Sequence, residues 1–208
     1  MIEALLGALA VVAAEPQKAE PKNDPARWVR ASDLPRISDD VAVTTFDLTI
    51  DEGGKPVSCA IIVSSGQDDL DNSVCKAVMK RSRFKPASEA NGSTIYSVRR
   101  DRVIWKPQER GGNTVNDDAD LVVTAPDLQT HAGVLVEVLL EVGPDGDTKK
   151  CSAVRSGGAE RLDALACEVA TNPQFALPIT DQAGQKVASL RTLFVTFESG
   201  ASTSVKIR

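Results

Sequence analysis

The sequence predicts an α+β fold written twice: two tandem small domains, each a three-stranded antiparallel sheet in strand order 2-1-3 with a helix packed on one face. Three observations predict it. The four cysteines of the 208-residue chain bracket two segments of equal separation, 75 − 59 = 16 and 167 − 151 = 16, offset by 151 − 59 = 92. At that offset Cys59, Ser64, Gly66, Leu70, Asp71 and Cys75 coincide with Cys151, Ser156, Gly158, Leu162, Asp163 and Cys167 without a gap. Around both segments, apolar period two gives way to a helical stripe and then to period two again.

The elements follow in order. In "VAVTTFDLTID", Ala42, Thr44, Phe46, Leu48 and Ile50 share one face, as Val134, Val136, Val138, Leu140 and Val142 do later; each is a strand with a buried face. The turns "DEGGK" and "GPDGD" lead to second strands beginning near Cys59 and Cys151, completing two hairpins. After a Ser/Gly break, Leu70, Val74, Ala77 and Val78 form one helical stripe; Leu162, Ala166, Val169 and Ala170 form the other. Asp71 and Asp163 fall in the first helical turn, where the helix dipole favours a carboxylate. The last strands are "IYSVRRDRVIW" and "VASLRTLFVTF", and their apolar parity switches midway (Val98 to Val103, Leu190 to Leu193), the signature of a bulge.

These elements divide the chain into residues 1–14, a signal peptide; 15–27, a Pro-containing linker; 28–106, the first domain; 107–120, a polar linker; and 121–208, the second domain. The run from Ala4 to Ala14 is apolar and ends in small residues before Glu15, as a signal peptidase requires, and is shorter than the ~20 residues of a membrane span. It predicts export to the periplasm; the rival reading anchors the chain to the inner membrane through residues 2–14. Net charge is −5 with mixed signs and no basic face, which argues against nucleic acid.

A cysteine on the second strand and one on the helix over it can meet a disulfide's Cα separation of ~5.5–6 Å. Cys59–Cys75 and Cys151–Cys167 are therefore read as structural disulfides, against buried free thiols and against metal or redox chemistry. No close C-x₂₋₄-C pair supports the last. No nucleophile elbow, P-loop or zinc-protease motif occurs, and the single histidine, His131, stands without a partner in sequence. The expectation is a protein that is not an enzyme, with no cofactor, metal or small-molecule substrate.

The first segment resembles the TonB C-terminal domain, the periplasmic module of the energy transducer that serves outer-membrane receptors. The likeness rests on Asp51-Glu52-Gly53-Gly54, Ser64-Ser65-Gly66, Leu70-Asp71, Arg83-Phe84-Lys85-Pro86-Ala87 and Gly92, with "RWVRASDLP" as a lead-in. The second segment keeps Asp145-Gly146, Ser156-Gly157-Gly158, Leu162-Asp163, Phe175 and Pro178. The chain departs from a transducer in its short apolar run and in "EPQKAEPKNDP", whose eleven residues reach only ~3.1 Å each when extended.

The resemblance implies recognition by strand addition to the exposed third strand. The partner-binding edge would then be Leu190, Arg191, Thr192, Leu193, Val195 and Phe197, with Val98, Arg100 and Arg102 in the first domain. The partner would be an outer-membrane receptor peptide or another envelope protein, with a homodimer through edge strands as a further outcome. The charges on the first edge equally suit protection against aggregation, and a structural envelope protein that keeps the fold without receptor binding is the alternative.

Overall fold

The structure is a computed structural model that describes residues 14–33, 35, 41–105, 114–115 (backbone), 119–128 and 131–207. Its principal elements are β1 (Ala42–Ile50), β2 (Pro56–Val63), α1 (Asp68–Arg81), β3 (Thr94–Trp105), β4 (Leu121–Ala125), β5 (Leu135–Val142), β6 (Thr148–Arg155), α2 (Glu160–Ala170), β7 (Ser189–Ser199) and β8 (Ser204–Ile207). The fold is α+β. All but the last residue of the 1–14 signal-peptide reading, and most of the 107–120 linker, lie outside the described residues. Among the described residues no helix is long and apolar enough to cross a membrane.

Each hairpin is set by its turn. Asp51 Oδ1 accepts from the Gly53 and Lys55 amides at 2.9 and 2.8 Å, and Gly54 takes φ 81° between β1 and β2. A Cβ at Gly54 would come within 2.1 Å of the Phe84 carbonyl oxygen, so glycine is required for space as well as for backbone conformation. Helix α1 places acidic residues in its first turn and Lys80 and Arg81 in its last, matching the helix dipole. Leu70, Val74, Ala77 and Val78 bury its apolar stripe against Phe46, Leu48 and Ile50 of β1. The lead-in joins this core: Trp28 is fully buried and meets Phe84 edge-on at 5.3 Å, and Arg81 clamps Asp33 with two 2.6 Å bonds. The 15–27 stretch lies along the same half, with Glu20–Pro21 paired to Phe84–Lys85.

In both halves the first hairpin strand lies between the second and the long last strand. The expected pair of separate three-stranded sheets is not what forms. One sheet runs in the order β6-β5-β7-β3-β1-β2, because β7 pairs β3 in parallel from Ser189↔Tyr96 to Thr192↔Arg99. Beyond that point β7 pairs β4 instead, from Val195↔Leu121 to Ser199↔Ala125, and β4 carries β8 on its other side.

The two cores lie on opposite faces of this sheet. Val136, Val138, Leu140 and Val142 of β5 face α2, whereas Leu139, one residue out of phase, belongs to the core under α1. The parity switch has the same origin and not a bulge. The β1–β3 and β5–β7 registers run without a shift. Leu190 faces the first core while Leu193, Val195 and Phe197 face the second. The strand changes partners, not register. The irregular registers lie in the hairpins, between Thr45 and Phe46 and between Ala153 and Arg155 among others.

Candidate functional site

The "VRRDR" run of β3 crosses the middle of the sheet, and strand alternation sorts its charges onto two faces. Arg99 and Asp101 go to the α1 face, where the Arg99 guanidinium donates to both Asp101 oxygens at 2.7 and 2.8 Å. Arg100 and Arg102 go to the other. Asp47 stands opposite Arg100 in the β1–β3 register and accepts from its Nε and Nη2 at 2.7 and 3.0 Å. Charge-assisted forks of this kind are the strong ones.

Arg191 of β7 reaches the same place from the other half of the chain. Its Nη1 stands 4.0 Å from Asp47 Oδ2, and its guanidinium donates to the main-chain carbonyls of Phe175 and Leu177. Burial, and then Arg100 nearby, lower the Arg191 pKa against the opposing pull of Asp47. Arg102 completes the row, donating to the Ala119 carbonyl at 2.6 Å with Asp120 Oδ1 3.7 Å away.

Asp120 occupies the fork where β7 leaves β3 and takes up β4. Its amide donates to the Phe194 carbonyl at 2.7 Å, and its carboxylate accepts from the Phe194 amide at 2.8 Å. Burial pushes its pKa up to about 7, against the Phe194 hydrogen bond and the charges of Arg100 and Arg102. A carboxyl desolvated this far keeps its proton well beyond the usual carboxylate range.

The disulfides lie away from this seam. Cys59–Cys75 and Cys151–Cys167 each join an outer hairpin strand to its helix, with Cα separations of 5.6 and 5.7 Å. Beside each, the aspartate of the first helical turn does more than meet the dipole. Asp71 is buried and accepts from Thr44 Oγ1 at 2.7 Å, Ser64 Oγ at 2.6 Å and the Ser65 amide at 3.1 Å. Desolvation is the largest influence on it and acts upward, but these bonds together hold its pKa below the usual value. Asp163 repeats one of them, accepting from the Gly157 amide at 2.9 Å.

The residues expected to form open docking edges converge, but on each other. Val98, Arg100, Arg102, Leu190, Arg191, Leu193, Val195 and Phe197 are buried and Thr192 is partly buried. Strand β7 is bonded to β5 on one side and to β3 and then β4 on the other. The expected edge from Leu190 to Phe197 is therefore interior, because each third strand finds its neighbour in the other half. Among the principal strands of the described residues, the open main-chain edges are those of β2, β6 and β8. Ile61 and Val63, Val154, and Val205 and Ile207 expose apolar side chains there.

Sequence reasoning missed Asp47 and Asp120. Asp47 sits on the polar face of β1, directly across from Arg100, and that charge pairing was the available signal. Asp120 ends a polar stretch and carries no such signal. His131 occupies the turn before β5. Among the described residues no group of three or more His, Cys, Asp or Glu is placed to hold a metal ion.

Residues 38–107 match the model of the Gram-negative bacterial TonB protein C-terminal family. The matched span contains β1, β2, α1 and β3 and stops before β4. Neither the curated proteins nor the solved structures contain a match to the chain.

Proposed function

We propose that the chain is a TonB C-terminal-like protein-binding module of the periplasm, serving outer-membrane transport by adding an extended segment of a receptor or another envelope protein to its sheet. The observation that carries this reading is the family match over 38–107, which takes in a whole hairpin–helix–strand unit. The second half repeats the order of elements, the disulfide and the Asp163 contact, which supports a tandem duplication. Two disulfides and no free cysteine among the described residues suit an oxidising compartment, and so support export.

With β3 and β7 paired to each other, strand addition falls to β2. It lies within the matched span, its outer main chain is open, and beyond Pro56 its side chains are partly or fully exposed. Main-chain hydrogen bonds would supply affinity and alternate side chains selectivity. The same β3–β7 pairing favours a second reading, a structural envelope protein in which the receptor-pairing strands serve only to join the two halves.

The test is a titration of the isotope-labelled chain with an extended peptide from the N-terminal segment of an outer-membrane receptor. Strand addition moves the outward amides of β2 and leaves those of β3 and β7 in place. A titration in which no β2 amide moves refutes addition there and leaves the structural reading.

A further inference from the structure

The face of the first hairpin that turns away from α1 is not bare. The segment after α2 folds over it, and between them lies a cavity of about 300 Å³ lined by β1, β2, β3, the 177–180 segment and Arg191. Its lining carries apolar side chains, from Ile62 and Val98 on the sheet to Pro178 and Ile179 above, together with Thr49, Ser58 and Thr180. Its rim is open: Ala60 and Leu177 are exposed.

The charges around this cavity do not balance. Asp47 and Arg191 both line it, and Arg100 lies immediately behind Asp47. Arg100 engages both oxygens of Asp47, so Arg191 is left 4.0 Å from that carboxylate with only main-chain carbonyls as close partners. Asp120 stands 3.7 Å from Arg102, outside the cavity lining, and does not supply the missing anion. The Arg191 side chain is 6% exposed, and among the described residues its Nε, like Arg100 Nη1, is buried with no hydrogen-bond partner. Buried polar groups in folded proteins almost always find partners, and a buried charge without a counter-ion is costly. A buried guanidinium with an unused Nε donor therefore lines the cavity.

We propose that this cavity is a binding site for a carboxylate group, with the Arg191 guanidinium as its counter-ion. A planar monoanion matches the guanidinium fork and balances a single excess charge. A dianion such as phosphate would meet Asp47 in the same lining. The apolar side chains of the lining accept the short aliphatic stem that carries a carboxylate, whether in a free small acid or in the Asp or Glu side chain of a protein segment. The inference rests on the cavity's own charge and walls, so it holds whether or not a receptor strand adds to β2.

The experiment observes the arginine side-chain Nε–H signals of the intact, isotope-labelled chain, with Arg191 assigned through its own backbone. Acetate is expected to shift the Arg191 signal saturably, and inorganic phosphate at the same ionic strength is not. A hexapeptide with one central glutamate, compared with its glutamine counterpart, identifies the source. Binding at least tenfold tighter than acetate, lost with glutamine, marks a protein side chain; otherwise the ligand is a small acid.

Ala60→Glu on the exposed rim is the second variant, chosen because it leaves the core untouched. It brings a carboxylate to the cavity within the chain and should abolish the acetate response. An Arg191 signal that acetate leaves unmoved, or that phosphate moves equally, overturns the proposal, as does an acetate response unchanged in Ala60→Glu.

Discussion

Raising the pH from 4 to 8 should weaken the fold through one residue, Asp120. Its carboxyl is held by burial at a pKa of about 7, against 3.8 for an ordinary aspartate. Between those values the folded chain binds a proton that the unfolded chain has released. Stability from this group is therefore fully present below pH 3.8 and is lost as pH rises through 7. The difference amounts to ~4 kcal/mol, at 1.36 kcal/mol for each tenfold change in proton affinity, which is a large part of the 5–15 kcal/mol typical of a domain. Asp33 and Asp71 run the other way, with lowered pKa values whose contribution is lost in acid. The comparison must isolate Asp120. Asp120→Asn keeps an oxygen to accept from the Phe194 amide and cannot ionise. Urea unfolding followed by the fluorescence of Trp28 and Trp105, both fully buried, gives the two stability profiles. The parent is expected to fall relative to the variant across pH 4–7 and to run parallel to it above pH 8. Profiles that stay parallel from 4 to 8 refute the reasoning.

Removing Asp47 leaves Arg100 buried without the carboxylate it engages and takes away the carboxylate that stands 4.0 Å from Arg191. Asp47→Ala should cost about 3–5 kcal/mol in urea unfolding, the range for breaking a buried pair, and Asp47→Asn less. Gly54→Ala forces a Cβ onto the Phe84 carbonyl at a backbone conformation alanine disfavours; a loss of at least ~1 kcal/mol, read as a lower Tm, is expected. Peptide mapping of unreduced protein should join Cys59 to Cys75 and Cys151 to Cys167, with reduction of each costing ~3 kcal/mol; cross-pairing between the halves would count against both assignments.

The local elements were legible because each is written in a short-range period. Alternation from Ala42 to Ile50 marks β1, and the Leu70, Val74, Ala77, Val78 stripe marks α1, which extends from Asp68 to Arg81. The cysteine spacing marked the two staples. The joining of the sheets was not legible, since alternation shows that a strand has two faces and says nothing of what lies at its edge. The parity switches at Val98–Val103 and Leu190–Leu193 did carry the information. They record strands buried on both faces, with Leu190 in one core and Leu193 in the other, and with Val103 in a core and Val98 against the cavity on the opposite face, a pattern indistinguishable from a bulge until the neighbouring strand is known. Asp71 looked complete as a dipole partner, and its three additional donors come from positions that only the folded chain brings together.

The parallel pairing of β3 with β7 also has a kinetic meaning. It joins residues 189 − 96 = 93 positions apart, whereas each hairpin and its helix close over far shorter loops. Loop-closure entropy must be met before such a contact is rewarded, so the pairing belongs to the last stage of folding, after both helices have docked. The route runs in reverse on unfolding. Among Ser189 to Thr192, the amides directed at β3 should exchange with solvent before those of β1, whereas those directed at β5 stay paired, since opening here separates the halves while each keeps its own staple and much of its own core.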